Sequence, residues 1–96
     1  MIPTFLQVYL PSYDIKKLDK KSPQVAREII TSVLNLGDSK AVYWVFDNYT
    51  IDQIRNAVEY PNKGVWGEES LNYWCEILKI SSKPSHKSAI LDIYPV

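Results

Sequence analysis

An all-α fold, a small bundle of four main helices, is predicted by three features of this 96-residue chain. Apolar residues recur at three- and four-residue spacing in four runs, each run is bracketed by capping or breaking residues, and the connections between runs are short. A short N-terminal helical turn and extended N- and C-terminal segments complete the expected architecture. The length suits one domain whose core buries roughly 60–70% of the unfolded chain's surface, so no disulfide or metal staple is required. We place the helical domain at residues 1–80, with residues 81–96 as a polar linker and a short apolar tail.

The N-terminal stretch TFLQVYLPSYDIKKLDKK reads as an extended segment followed by a brief helical turn capped by Asp14. Ser22-Pro23 then supplies a cap and a proline at the first helical position, where a missing N–H costs nothing. From there Val25, Ile29, Ile30, Val33, Leu34 and Leu36 keep helical spacing until Gly37 stops the run. Asp38 or Ser39 caps the second helix, with Val42, Val45, Phe46 and Tyr49 as its inward stripe. Thr50-Ile51-Asp52-Gln53 matches a capping box, in which the threonine hydroxyl and the glutamine side chain satisfy each other's backbone donors. The third helix points Ile51, Ile54, Ala57 and Val58 inward and ends before Pro61. YPNKGVWG carries turn residues, and Glu68, Glu69 and Ser70 open a fourth helix that runs to Lys79, with acids at its start and a lysine at its end to suit the helix dipole.

Bulk composition excludes several classes. Acids and bases balance at 11 each and hydrophobic residues make up 46%, so neither disorder nor a strongly polyanionic partner is indicated. The N-terminus is apolar but too short to span a bilayer and lacks early basic residues and a small-residue cleavage site, so a cytoplasmic protein is expected. The single cysteine, Cys75, falls among apolar helical positions and is expected to pack as a small hydrophobe.

The second and third helices have the outline of a DNA-reading helix-turn-helix, but their charge opposes that role. Asp38, Asp47, Asp52 and Glu59 outnumber Lys40 and Arg55 there, and such acids repel phosphates. A nucleic-acid-binding regulator using Lys16, Lys17, Lys20, Lys21 and the basic Lys79–Lys87 stretch is the alternative. No catalytic, cofactor or metal site is expected. His86 stands alone in a Ser/Lys/Pro linker, Glu68 and Glu69 diverge by about 100° on a helix, one Cys and one distant His make no ligand set, and no Gly-rich phosphate loop is present.

The positive signal is surplus apolar surface. On the fourth helix Leu71, Trp74, Cys75 and Leu78 form one stripe while Tyr73, Ile77 and Ile80 form another, an arc of roughly 200° that a small core cannot easily hide. Trp44 is expected to project away from the inward stripe of its helix, with Tyr43 near that stripe's edge, and Trp66 to stand in a loop. Large aromatics outside the core are typical binding anchors. Either a partner covers this surface, or the N-terminal segment or the AILDIYPV tail does so within one chain. The expected partner contacts are Trp44, Trp66, Tyr73 and Ile77, with Ile90, Leu91, Ile93 and Tyr94 on the tail. A homodimer or a structural homo-oligomer is the other use for such a surface.

The runs YDIKKLD, VLNLGDSKAVYWVFDNYTIDQIRNAV and LNYWCEILKI together resemble a family of small, mostly bacterial helical domains of unknown function. The resemblance spans roughly residues 9–80. Genes for such domains often lie beside AbiEii-type nucleotidyltransferase toxins, so it implies an antitoxin-like role in a toxin–antitoxin system: a non-enzymatic protein that binds and restrains its toxin. SYD replaces the family's Trp-Asp pair before the first short helix, and the segment after Ile80 lies beyond the family's core.

Overall fold

Helix α1, Pro23–Leu36, is the element around which the others are arranged. In a computed structural model that describes residues 2–81 and 84–90, it packs against α2 (Ser39–Asn48), α3 (Ile51–Glu59), α4 (Glu68–Leu78) and an N-terminal 3₁₀ segment, Thr4–Tyr9. A short fifth helix, α5, spans Pro84–Ala89. The fold is therefore an all-α bundle with four main helices, and the only β-type pairing among the described residues is one isolated bridge between Trp66 and Ile90. Ala26, Ile29, Ile30, Val33 and Leu34 of α1 are all buried, which covers more than one side of that helix and explains why it has neighbours on several.

The helix ends follow from identifiable residues. The Asp38 side chain accepts from the Ala41 amide at 3.0 Å and caps α2. The box at the start of α3 is complete: Thr50 Oγ1 accepts from the Gln53 amide at 3.1 Å, and Gln53 Oε1 accepts from the Thr50 amide at 2.9 Å. Asp14 caps the short Ile15–Lys17 turn as expected. Gly37 ends α1 for a reason other than left-handed geometry. Its φ is −75°, and a Cβ there would lie 2.5 Å from the Val33 carbonyl oxygen, so no larger residue fits without displacement.

Three expectations need correction. The N-terminal segment is a 3₁₀ helix rather than extended. Ile2, Leu6 and Leu10 are buried whereas Thr4 and Val8, which would share their face in an extended strand, are exposed, so the chain coils to bury one without the other. Gln7 locks the return, donating to the carbonyls of Leu10 (2.9 Å) and Tyr13 (2.6 Å). On α2 the inward face is rotated from the predicted stripe: Ala41, Val45 and Tyr49 are buried whereas Phe46 is exposed, and on α3 Ile51 is exposed although Ile54, Ala57 and Val58 are buried. Finally, residues 84–89, the second half of the expected polar linker and the first residue of the expected tail, are helical, and Ser88 and Ala89 accept backbone hydrogen bonds from Gly64 (3.0 Å) and Trp66 (2.9 Å). Residues 82–83 and 91–96 of the expected C-terminal segment lie outside the described residues.

The end of α4 explains where Ile80 goes. Lys79 takes left-handed geometry at φ 56°, the Ile80 amide donates to the Cys75 carbonyl at 2.8 Å, and the Lys79 amide donates to that of Glu76 at 3.3 Å. This is a Schellman closure, which brings the residue after the turn back against the third residue from the end. Ile80 is thereby buried and leaves the outer stripe of α4, contrary to the expected grouping with Tyr73 and Ile77.

Tyr49 joins α2 to the segment preceding α1, its hydroxyl donating to the Lys20 carbonyl at 3.0 Å. Burial first, and the negative charge of Asp19 second, push its phenol up to about 12 from 10.0. Stability contributed by this group is therefore complete below pH 10 and is lost as pH rises towards 12, because the unfolded chain releases the proton first. Urea unfolding of Tyr49→Phe should show a flatter loss of stability across that interval than the parent chain. Lys79→Gly should raise stability by about 1 kcal/mol, since glycine enters left-handed geometry without a Cβ clash, and a higher urea midpoint at unchanged slope checks it.

Candidate partner-binding face

The outer side of α4 carries Tyr73 and Ile77 four residues apart, one turn above the other. Tyr73 is 55% exposed and Ile77 52% exposed. The inner side holds Leu71 and Leu78, both buried, with Trp74 and Cys75 half-buried between the two. The α4 arc is thus divided by the fold: part goes to the core and part faces solvent.

Trp74 is the hinge of this surface. Its indole N–H donates to the Leu34 carbonyl at 2.8 Å, so one of α1's terminal carbonyls is satisfied and the ring is held in one orientation. The Tyr73 ring stands perpendicular to it at 5.1 Å between centroids, and Phe46 of α2 lies tilted against it at 5.9 Å. Such edge and tilted geometries are favoured by the ring quadrupoles and add about 0.5–1.5 kcal/mol per pair. Phe46 and Tyr43, three residues apart on α2, are both exposed and extend the aromatic surface. A groove of about 370 Å³ runs beside it between the end of α1, α2 and α4. Asn35 fixes its floor: its side chain donates to the Val65 carbonyl and accepts from the Gly67 amide, each at 2.9 Å, while its own carbonyl accepts from the Ser70 hydroxyl at 2.9 Å.

The other expected contacts divide. Trp44 does not project away from the body; it is half-buried, edge-on to Tyr49 at 5.8 Å, with the Lys20 ammonium 6.0 Å from its ring centroid. Trp66 is corrected outright, because it is 0% exposed and is the largest fully buried side chain. Its backbone pairs with Ala89 and Ile90, the first residues of the apolar tail, so at Trp66 the tail supplies cover within the one chain. Among the described residues its indole N–H has no acceptor, a deficit of about 1–3 kcal/mol that the area buried by the ring offsets. Ile90 is half-buried against the core rather than free. Leu91, Ile93 and Tyr94 lie outside the described residues.

The helix pair α2/α3 offers little to phosphate. Arg55 donates to the Leu78 carbonyl and is partly buried, and Arg27 on α1 donates to the Tyr60 carbonyl (2.6 Å) and Asn56 Oδ1 (2.5 Å). Both arginines thus serve to join helices. His86 is also corrected. It is only 4% exposed, with Nε2 2.9 Å from the Val58 carbonyl oxygen, so that nitrogen carries a proton, as a carbonyl can only accept. Burial pushes the Cys75 thiol up, away from the reactive thiolate. Among the described residues no group of three or more His, Cys, Asp or Glu converges on a metal-sized site, and no helix is long and apolar enough to cross a membrane. Sequence reasoning missed Gln7, Asn35 and His86 as structural hydrogen-bonders, because polar side chains that pair across the fold leave no periodic signal.

Since Tyr73 and Ile77 are only about half covered, Tyr73→Asp combined with Ile77→Asp should cost about 1–2 kcal/mol, mostly the Tyr73–Trp74 ring pair, whereas Leu71→Asp at a sealed position should cost about 4 kcal/mol or more; urea unfolding followed by circular dichroism separates the two. Compared with known protein families, with curated proteins and with solved structures, the chain matches none.

Proposed function

We propose that this chain is a non-enzymatic, antitoxin-like protein that binds and restrains a nucleotidyltransferase-like toxin through the aromatic and aliphatic face of α2 and α4. The observation that carries this is the exposure of Tyr73 and Ile77 beside the oriented Trp74 and Phe46 rings. A cluster of apolar side chains held on regular helices, with the central ring fixed by a hydrogen bond, has the makeup of a protein-docking hot spot. The toxin as partner comes from the resemblance of residues 9–80 and not from the geometry.

Two features support a binding rather than a chemical role. His86, the chain's one imidazole, is committed to the Val58 carbonyl, and the Cys75 thiol is shifted away from nucleophilic ionisation. Of the originally expected anchors, Tyr73 and Ile77 keep that role, joined by Phe46 and Trp74. Trp44 is a flanking contact at most, and Trp66 belongs to the core. Ile90 packs on the body, so tail contacts with the partner fall to Leu91, Ile93 and Tyr94.

Co-expression with a nucleotidyltransferase-like protein encoded beside this gene should relieve growth arrest and yield a co-purifying complex. The Tyr73→Asp, Ile77→Asp chain, folded by circular dichroism, should lose both. Rescue by that variant at the parent level would reject the face, and parent chain that neither rescues nor binds would reject the toxin as partner.

A further inference from the structure

The groove beside Trp74 has one charged group left over. Its apolar side is formed by Leu34, Val42, Tyr73 and Trp74, and its polar side includes Ser70 and Glu69. Ser70 is spent on the Asn35 carbonyl. Glu69 has neither an ion pair nor a hydrogen bond among the described residues, and it lies four residues before Tyr73, on the same side of α4. Two further acids border the apolar face at helical spacing: Asp47, four residues after Tyr43 on α2, and Glu76, three residues after Tyr73 on α4. Both are exposed and likewise unpaired among the described residues. The nearest base on α2, Lys40, is turned to the N-terminal segment, its ammonium 4.4 Å from the Phe5 ring centroid.

An apolar surface with three uncompensated carboxylates around it selects its occupant by charge. Nucleic acid and anionic lipid meet like charge there, whereas a cation meets both carboxylates and the face of an aromatic ring. The groove, about 370 Å³, is roomy enough for one long side chain. We propose that it receives a lysine or arginine from a basic, amphipathic segment of the protein partner, the charged end meeting Glu69 and the aliphatic stem lying along Trp74 and Tyr73. The apolar side of the same segment covers Phe46 and Ile77, and Asp47 and Glu76 meet its flanking bases. This rests on the docking role proposed above and names the chemistry of what docks.

The test uses the full ¹⁵N-labelled chain and two synthetic amphipathic helices of identical leucine pattern, one with lysine and one with glutamate on its polar face. The lysine peptide should shift the Trp74 indole N–H and the Tyr73 and Glu69 amides, weaken as salt rises, and bind roughly tenfold less tightly to Glu69→Lys, Glu76→Lys chain. Equal binding of both peptides, abolished by Tyr73→Asp with Ile77→Asp, would leave the docking face standing and overturn the cationic occupant. Shifts centred on Lys16–Lys21, or a doubled solution mass without peptide that protects the face, would overturn it in favour of another surface or a second copy. No shift at the face with either peptide would overturn both the occupant and the face.

Discussion

Everything in this fold depends on covering α1. Its buried residues, Ala26, Ile29, Ile30, Val33 and Leu34, demand apolar cover on more sides than one neighbouring helix can give. Helices α2, α3 and α4 and the coiled N-terminal segment each supply part of it. The same helix also imposes a polar demand, because its last carbonyls have no partner within the helix. Two are met by side chains of α4: the Trp74 indole on Leu34 and the Ser70 hydroxyl on Asn35. The exposed face of α4 thus originates in a structural need of the core. Positioning α4 to close the end of α1 turns Tyr73 and Ile77 outward.

Legibility in the sequence followed the range of the interactions. Features set within a few residues were readable: the Pro23 start of α1, the Asp38 cap and the Thr50–Gln53 box all stand where the residue types put them, although Ser22 holds the N-cap position of α1 without a side-chain capping bond. Features set by distant packing were not. A helical stripe of four apolar residues has an ambiguous axis, and on α2 the choice between Phe46 and Ala41 as core was made by the surrounding helices. Ile80 shares the period of Ile77, yet one left-handed residue at Lys79 redirects it. Trp66 and His86 sit in turn- and serine-rich sequence that has no period at all, and only the pairing of residues 64–66 with 88–90 reveals that both are interior.

The candidate site was legible to a similar degree. The width of the apolar arc on α4 indicates that something must remain uncovered, which holds for Tyr73 and Ile77. It does not indicate which tryptophan lies beside them. Trp44 and Trp66 are the conspicuous loners in sequence, whereas Trp74 looks like an ordinary inward residue. In the fold Trp74 spans both environments, since its N–H serves the core and its ring meets Tyr73 and Phe46 at the surface.

The hydrogen bond from Trp74 to Leu34 has a thermodynamic corollary. Association ordinarily loses conformational entropy as loose side chains are frozen, about 0.5–1.5 kcal/mol for each rotamer-rich group. Here the largest ring in the proposed contact surface is already held by its hydrogen bond in the free chain, and it sits on a helix rather than on a loop. For the docking proposed above, that part of the entropic penalty is met during folding, so more of the area buried would remain as net affinity.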